Sequence, residues 1–283
     1  MSGTFKVACI QVNAGLDMPT NLAVAGDLVR EARSQGADLI ALPENVALMT
    51  VRGSEIRAGA RAPEDHPALA VFRALARETG AWLLAGSIGI KAEAGKVANR
   101  SYLLDAAGEI AGYYDKIHMF DVDLPSGQSF RESEGFQAGN RACVYDTPWG
   151  PIGLSICYDL RFPRLYRALA QGGASYLAVP AAFMHETGKA HWHVLLRARA
   201  IETGSYVIAP CMWGDHGGGR RTYGHSLIVD PWGEVLADGG EGAGIVLAEI
   251  DPRRVTEARA QIPALQHGRS FAMPERPGEE SAT

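Results

Sequence analysis

The first third of the chain alternates between two patterns of apolar residues. Residues 6–12, 38–42 and 81–90 are short, nearly continuous apolar runs, which is the pattern of strands buried on both faces. Two intervening segments instead repeat apolar residues every three or four positions, which indicates helices with one buried face. The repeating positions are Leu22, Ala25, Val29 and Ala32 in the first helix, and Leu69, Phe72, Leu75 and Ala76 in the second. This alternation of strand and helix predicts an α/β fold.

Residues that favour helix ends agree with these two helices. Thr20 is placed to cap the first helix and Gly36 to end it. The sequence Asp65-His66-Pro67 marks the start of the second, because proline is well tolerated in the first turn of a helix.

The remainder of the chain adds hairpins to this pattern. Three pairs of short strands flank turn sequences that contain glycine with aspartate or proline: 101–104 with 110–114, 143–145 with 152–157, and 226–229 with 234–236. Further helices are expected at 162–171, at 190–203 and after Asp251-Pro252, with strands at 176–179 and 205–209. Antiparallel pairs beside parallel ones predict two mixed sheets covered by helices on their outer faces. We expect one domain over residues 1–271 and a flexible tail over 272–283.

Composition and charge narrow the class of protein. The 283 residues include 27 Lys and Arg against 32 Asp and Glu, a net charge of −5 without a basic stripe, so nucleic acid is not an expected partner. The apolar runs are far shorter than the roughly 18 residues of a membrane span, and the N-terminus does not resemble a signal peptide. We therefore expect a cytoplasmic protein without a membrane partner. The four cysteines form no C-x-x-C pair, which favours free thiols over disulfides or a zinc knuckle.

Three predicted strands end at a residue with reactive chemistry. Glu44 follows the strand at 38–42, Lys116 follows the strand at 110–114, and Cys157 closes the strand that begins at Pro151. In α/β sheets ligands bind beyond the carboxyl ends of strands, so these three residues are candidates for the functional site. Each residue alone is as readily a solvated acid, a surface ammonium or a buried thiol. Together they supply the base, the cation and the nucleophile that acyl transfer requires.

The sequences around these residues resemble a known family. Leu42-Pro43-Glu44-Asn45, the segment 115–123 from Asp115-Lys116 onward, and Ile156-Cys157-Tyr158-Asp159 resemble motifs of the nitrilase superfamily of carbon-nitrogen hydrolases. The resemblance extends from about residue 6 to 270. It implies an αββα sandwich that doubles to four layers of αββα-αββα on homodimerisation, and a catalytic triad of Glu44, Lys116 and Cys157.

The resemblance also assigns supporting roles. Glu132, within Phe130-Arg131-Glu132-Ser133, is expected to hold Lys116, and the backbone N–H of Tyr158 is expected to join Lys116 in stabilising an oxyanion. Chemistry of this kind needs no metal and no organic cofactor. The expected partner is a small-molecule substrate, attacked through a thioester intermediate.

Within the superfamily the chain is most similar to the branch of deaminated glutathione amidases and omega-amidases. The segments Ala190-His191-Trp192, 194–203 and Tyr223-Gly224-His225-Ser226 carry that similarity and favour deaminated glutathione over 2-oxoglutaramate or 2-oxosuccinamate. Both kinds of substrate bear a carboxylate, so a guanidinium is expected in the pocket. Arg161 is our candidate, with a structural ion pair to Asp159 as the competing interpretation; Phe183, Met184 and His191 are further candidate binding residues. Ala181 and Lys189 depart from the pattern of this branch, so the sequence does not decide which amide is cleaved.

Four alternatives compete with this interpretation. An aliphatic nitrilase would share the triad, but Tyr158 and Asp159 after the cysteine favour an amidase. A serine esterase would use Ser155 with the glycine-rich segment His216–Gly219, although the order of these motifs is wrong for that class. His191 and His193 would need further ligands for a zinc site, and a helix places them on different faces. A catalytically silent family member is the alternative from another class. We predict residues 214–221 to form a mobile loop.

Overall fold

The computed structural model describes residues 3–50, 52–123, 127 and 129–273. In chain order the strands are β1 (Phe5–Gln11), β2 (Leu39–Ala41), β3 (Trp82–Leu84), β4 (Ile88–Lys91), β5 (Val97–Leu104), β6 (Ile110–Asp115), β7 (Asp121–Asp123), β8 (Ser129–Arg131), β9 (Cys143–Tyr145), β10 (Ile152–Leu154), β11 (Tyr176–Ala178), β12 (Tyr206–Ala209), β13 (Trp213–Asp215), β14 (Arg221–Tyr223), β15 (Leu227–Val229), β16 (Val235–Asp238) and β17 (Gly244–Ile250). The α-helices are α1 (Met18–Ser34), α2 (Gly53–Gly59), α3 (Pro67–Thr79), α4 (Glu132–Gly135), α5 (Pro163–Gln171), α6 (His185–Thr203) and α7 (Arg253–Gln261). Short 3₁₀ helices cover Pro63–Asp65, Glu93–Gly95 and Cys157–Arg161.

Two mixed sheets carry the fold. The first has the order β17-β1-β2-β3-β5-β4, with β6 also pairing with β5. Its centre is parallel, since β1, β2 and β3 run together, whereas β17 pairs antiparallel with β1 from Phe5↔Ile250 to Gln11↔Gly244. The second sheet has the order β16-β15-β12-β11-β10-β9, with β10, β11 and β12 parallel.

The sheets stack face to face and helices cover their outer faces. Side chains alternate along β1: Val7 and Cys9 pack toward the second sheet, whereas Ala8 and Ile10 pack against α1 and α3. On the other side α5 and α6 cover the second sheet, where Trp192 is fully buried. The order of layers is α, β, β, α, so the predicted αββα sandwich of two mixed sheets is confirmed. The doubling to four layers and the single domain over 1–271 stay predictions.

Several predicted elements form with different ends. Thr20 is not the cap of α1, because the Asp17 side chain accepts from the Thr20 amide and takes that role. The predicted strand at 81–90 is two strands, β3 and β4. They separate at Gly86, where φ is +56° and a Cβ atom would lie 2.0 Å from the Pro43 carbonyl oxygen. The helix predicted at 190–203 begins five residues earlier, at His185.

The predicted loop at 214–221 forms over a shorter range, 216–220, because Gly214 and Asp215 belong to β13 and Arg221 to β14; its mobility stays a prediction. β13 and β14 form a two-stranded hairpin there, and the His216 ring bonds to the Ala14 carbonyl and the Thr222 hydroxyl. The hairpin of β7 and β8 and the edge strand β17 were not predicted. The predicted tail at 272–283 lies outside the described residues except for its first two. Within the described part of the chain, no helix is both long enough and apolar enough to cross a lipid bilayer.

Candidate active site

Glu44 lies just beyond the carboxyl end of β2, where the sequence predicts it. Its side chain is almost fully buried. Oε1 accepts hydrogen bonds from Asn99 Nδ2 at 2.9 Å and Lys116 Nζ at 3.1 Å, and Oε2 accepts one from the Ala182 amide at 2.9 Å. Three donors from three different segments therefore fix both oxygens of this carboxylate.

Lys116 follows β6 and is held between two carboxylates. Its ammonium donates to Glu44 and also to both oxygens of Glu132, at 2.8 and 2.9 Å. Glu132 begins α4, and its Oε2 also accepts from the Phe120 amide at 2.5 Å. The structure thus brings Glu132 to Lys116, as expected from the sequence.

Cys157 is not the last residue of a strand. β10 ends at Leu154, and Cys157 opens the 3₁₀ helix Cys157–Arg161 with φ at +48°. A non-glycine residue in this region is strained, and such strain concentrates at functional sites. The Cys157 amide donates to the Pro180 carbonyl at 3.0 Å, which anchors the turn. As the second residue of this helix, Tyr158 has its amide in the first turn, where backbone N–H groups lack intrahelical acceptors.

The protonation states of these groups suit proton transfer from the thiol to Glu44. Burial raises the pKa of the Cys157 thiol, and the neighbouring Glu44 charge raises it further, so the sulfur rests as a thiol. Burial opposes ionisation of Glu44, but Lys116 and the hydrogen bond from the Cys157 thiol outweigh it and lower the pKa of that carboxyl. Burial also disfavours the Lys116 ammonium, yet Glu132 and Glu44 raise its pKa above the ordinary value.

Asp159 organises the turn that carries the cysteine, a role the sequence did not reveal. Its buried carboxylate accepts from the Ile156 amide at 2.9 Å and the Tyr114 hydroxyl at 2.7 Å. It also accepts from the His118 amide at 3.1 Å and lies 2.6 Å from His118 Nδ1. Since Tyr114 and His118 flank Lys116, one side chain connects the lysine segment to the cysteine turn. The competing ion pair between Asp159 and Arg161 does not form.

A cavity of about 590 Å³ opens onto these groups. Glu44, Lys116, Glu132 and Cys157 all contribute to its wall. Its other lining residues include Tyr158, Arg161, Phe183, Met184, Thr187 and Arg220.

Arg161 lies at this cavity as predicted. Its guanidinium carbon is 5.2 Å from the centroid of the Phe183 ring, which is close enough for a cation–π contact. His191 is not part of the described lining, but its Nδ1 lies 3.2 Å from Arg161 Nη1. The predicted binding residues Phe183 and Met184 therefore line the cavity themselves, whereas His191 contacts it only through Arg161.

Arg220, at the tip of the β13–β14 hairpin, was missed by the sequence analysis. Its Nη2 donates to the Ala182 carbonyl at 2.9 Å, and its guanidinium lies 5.2 Å from the Phe130 ring centroid. Its Nε is buried without a hydrogen-bond partner among the described residues. The glycines before Arg220 suggested a loop, so no signal in the sequence pointed its side chain into the cavity.

The serine-esterase and two-histidine alternatives do not assemble. Ser155 Oγ donates to the Ala178 carbonyl at 2.8 Å and lies 2.7 Å from the Tyr166 hydroxyl, whereas His216 is bonded elsewhere. His191 and His193 point to different partners, since His191 contacts Arg161 and His193 lies 3.0 Å from Asp238.

Comparisons with known proteins agree with this fold and site. The model of the carbon-nitrogen hydrolase family matches residues 6–260. This chain therefore belongs to the carbon-nitrogen hydrolases, and its resemblance to the nitrilase superfamily is confirmed. It is a hydrolase of carbon–nitrogen bonds other than peptide bonds, the class that contains the amidases.

Individual relatives place the chain in one branch of that family. It is 42% identical over 268 residues to the deaminated glutathione amidase of Synechocystis sp. (strain PCC 6803 / GT-S), which covers 93% of this chain and 97% of the relative. It is 41% identical to the human protein of the same name, over 93% of this chain and 82% of the relative.

Solved structures show the same fold. Saccharomyces cerevisiae Nit3, described as a member of branch 10 of the nitrilase superfamily, has a TM-score of 0.84 at 30% identity, covering 93% of this chain and 96% of that one. A variant of the amidase from Nesterenkonia sp. AN1 has a TM-score of 0.78 at 28% identity, covering 92% of this chain and 96% of that one. That structure is described as showing covalent addition of the acetamide moiety of fluoroacetamide at the active site cysteine.

Proposed function

We propose that this enzyme hydrolyses the amide of deaminated glutathione through a thioester on Cys157. The substrate is 2-oxoglutarate joined by its distal carboxyl group to the amine of cysteinylglycine, so a carboxylate lies on each side of the scissile amide. The relatives that carry the name of this activity support the choice of substrate. So do Arg161 and Arg220, two of the four arginines among the described residues that line the cavity together with Cys157.

The pairing of a protonated thiol with an ionised Glu44 carries the proposal for the first half-reaction. Glu44 accepts the thiol proton as the sulfur attacks the carbonyl carbon of the amide. The carbonyl π electrons move to oxygen, and the resulting oxyanion is stabilised by the Lys116 ammonium and the Tyr158 amide. One such donor contributes about 3 kcal/mol to the transition state. When the C–N bond breaks, Glu44 returns the proton to the leaving amine.

Hydrolysis of the thioester uses the same groups in reverse. Glu44, again a carboxylate, takes a proton from a water molecule as its oxygen attacks the thioester carbon. The second oxyanion collapses, the C–S bond breaks, and the proton on Glu44 restores the Cys157 thiol. Glu132 keeps the Lys116 ammonium in place through both steps by its two hydrogen bonds.

We further propose that the enzyme acts in the cytoplasm as a homodimer. Val194 and Ile201, seven residues apart on α6, leave 67% and 54% of their surface exposed, and the nearby Trp232 leaves 55% exposed. Large apolar side chains exposed together on one face are typical of a protein–protein contact.

The test of the proposed substrate is a comparison of 2-oxoglutarate release from deaminated glutathione and from 2-oxoglutaramate. Cys157→Ala is the inactive control, and Cys143→Ala is its matched cysteine control. We expect release from both substrates to vanish only in Cys157→Ala, with a higher kcat/KM for deaminated glutathione. Faster release from 2-oxoglutaramate would identify an omega-amidase instead. Activity on nitriles alone would identify a nitrilase, and no activity on any of these substrates would favour a silent member of the family.

A further inference from the structure

A cluster of two histidines and one aspartate lies apart from the active-site cavity. His193 belongs to α6, His225 precedes β15, and Asp238 ends β16. Asp238 Oδ2 is 3.0 Å from His193 Nε2, and Asp238 Oδ1 is 2.9 Å from His225 Nδ1. These three residues are not among the described residues that line the cavity.

The spacing of the three side chains matches a metal site. One nitrogen of each histidine and one oxygen of Asp238 lie within 4.8 Å of one another. Imidazole nitrogen and carboxylate oxygen are common zinc ligands at about 2.0–2.2 Å, which puts neighbouring ligand atoms of a tetrahedral site roughly 3.3 Å apart. The nitrogen–oxygen separations of 2.9 and 3.0 Å are close to that value, so small side-chain movements bring all three atoms around one cation.

The backbone fixes two of the three ligands in advance. His225 has φ at +52°, a strained conformation for a residue with a side chain. Its amide donates to the Gly240 carbonyl at 2.8 Å, and its carbonyl accepts from Trp192 Nε1 at 2.8 Å. Its ring stacks on Tyr223 at 4.4 Å, and Asp238 Oδ1 accepts from the Gly240 amide at 2.8 Å. These contacts lower the entropic cost of arranging the ligands around an ion.

The cluster is also accessible from solution. The side chains of His225, His193 and Asp238 are 22%, 32% and 34% exposed. A cation can therefore enter, and water can complete its coordination. No sequence motif indicates this site, because its members come from three segments, whereas familiar zinc motifs place two ligands a few residues apart.

We propose that His193, His225 and Asp238 bind a divalent transition-metal ion such as zinc. Each neutral imidazole offers the lone pair of one ring nitrogen, with its N–H proton on the other ring nitrogen, and Asp238 offers one carboxylate oxygen. The bound ion fastens α6 to the β15–β16 hairpin. This inference is independent of the substrate, because none of its residues takes part in the proposed reaction.

The test uses the full-length chain after treatment with a chelator. Zinc chloride is titrated into it by calorimetry, and thermal unfolding is followed with and without zinc. His193→Gln and Asp238→Asn keep the side-chain size and a hydrogen-bonding group, and His267→Gln removes an exposed histidine elsewhere. All variants carry Cys157→Ala, which removes the active-site thiol as a ligand. Circular dichroism checks that each variant folds.

We expect one zinc ion per chain and a rise in Tm with zinc for the parent protein and for His267→Gln. Substituting a residue that only hydrogen-bonds to a metal ligand weakens metal binding by about 10- to 100-fold. Substituting the ligands themselves, in His193→Gln and Asp238→Asn, should weaken zinc binding at least as much. Unchanged affinity in these two variants, or an equal loss in His267→Gln, overturns the site. Cobalt(II) provides a readout without variants: visible absorption that saturates at one equivalent is expected, and its absence contradicts the proposal.

Discussion

At the residue scale, the site depends on how each charge is paired. Glu44, Lys116 and Glu132 are buried or nearly so, and their alternating charges compensate one another. Removing one partner of such a set leaves the other buried without a counter-charge, which is costly. These residues were predictable because each follows a recognisable strand or motif. Arg220 was not predictable, because its position at the cavity depends on the β13–β14 hairpin, whereas the neighbouring glycines predict only a loop.

Glu44→Gln tests whether Glu44 activates Cys157. Glutamine keeps the size of the side chain but cannot accept the thiol proton, so we expect kcat/KM to fall by about 10²- to 10⁴-fold. Alkylation of Cys157 by iodoacetamide at neutral pH should slow in parallel, because the variant has no carboxylate to accept the thiol proton as the sulfur attacks. Peptide mass mapping follows each cysteine separately.

The controls for this prediction come from the same chain. Glu249→Gln, an exposed position on β17, should leave both rates unchanged. In the unsubstituted enzyme Cys157 should alkylate faster than Cys9 and Cys211, because Cys157 lines the cavity beside Glu44, whereas Cys9 and Cys211 are fully buried away from it. Equal alkylation of Cys157 in Glu44→Gln and the unsubstituted enzyme would show that Glu44 is not the base.

Arg220→Gln tests the second guanidinium. We expect KM for deaminated glutathione to rise by roughly 10-fold or more, from the loss of a charge-assisted pair of about 1.5–3 kcal/mol, with a smaller change for 2-oxoglutaramate. The Arg220 charge also helps to lower the pKa of Glu44, so the acid limb of the kcat/KM profile should move to higher pH. Arg221→Gln, the exposed neighbour, is the matched control. We assign Arg220 to the glycine carboxylate, which deaminated glutathione carries and 2-oxoglutaramate lacks, so an equal effect on both substrates would contradict this assignment.

At the scale of elements, the site lies where four separate segments meet. The strand ends that carry Glu44 and Lys116 were predictable from apolar runs, because buried parallel strands leave a clear pattern. The end of β10 was not predictable from the sequence. Ser155 and Ile156 continue the strand-like pattern, although the strand ends at Leu154. Gly86 likewise separates β3 from β4 because of the nearby Pro43 carbonyl, a contact between distant segments that local sequence does not reveal.

Asp159→Asn tests the connection between the lysine segment and the cysteine turn. Asparagine replaces one acceptor oxygen of Asp159 by an NH₂ group, which cannot accept the hydrogen bonds that this oxygen receives. The loss should lower the free energy of unfolding by about 1–3 kcal/mol. A small shift of the turn should lower kcat by up to about 100-fold while KM changes little, since Asp159 acts through the position of Cys157. Urea unfolding and steady-state kinetics measure the two effects. Asp146→Asn, at an exposed aspartate, is the control, and a change confined to KM would contradict this role.

At the scale of the whole molecule, the two helical layers differ in what they leave uncovered. α1 and α3 bury most of their apolar residues on the first sheet, whereas α6 both covers the second sheet and exposes Val194 and Ile201 outward. The αββα layering was predictable from the order of strands and helices. The proposed homodimer depends on which apolar side chains the folded chain leaves exposed. The sequence predicts a dimer only through the family resemblance.

Val194→Glu tests the proposed homodimer. A charge in the centre of an apolar contact is strongly unfavourable, so we expect sedimentation equilibrium to show a monomer or a dimer at least 100-fold weaker, which corresponds to about 2.7 kcal/mol. Val24→Glu places the same charge on α1, where 46% of the valine is exposed, and should leave the mass unchanged. A monomeric parent protein, or equal masses for both variants, would exclude this face as the interface.

The backbone of Ala182 has a consequence for selectivity. Its N–H donates to Glu44 and its C=O accepts from Arg220, so a single residue holds both the proposed proton acceptor and the outer cation. If a substrate carboxylate pairs with Arg220, it screens the charge that keeps Glu44 weakly basic, and the base gains strength only once the correct molecule is seated. A neutral amide of similar size would meet a poorer base. Such an enzyme distinguishes its substrates in the speed of the acylation step as well as in affinity, and stray cellular amides are spared even when they enter the cavity.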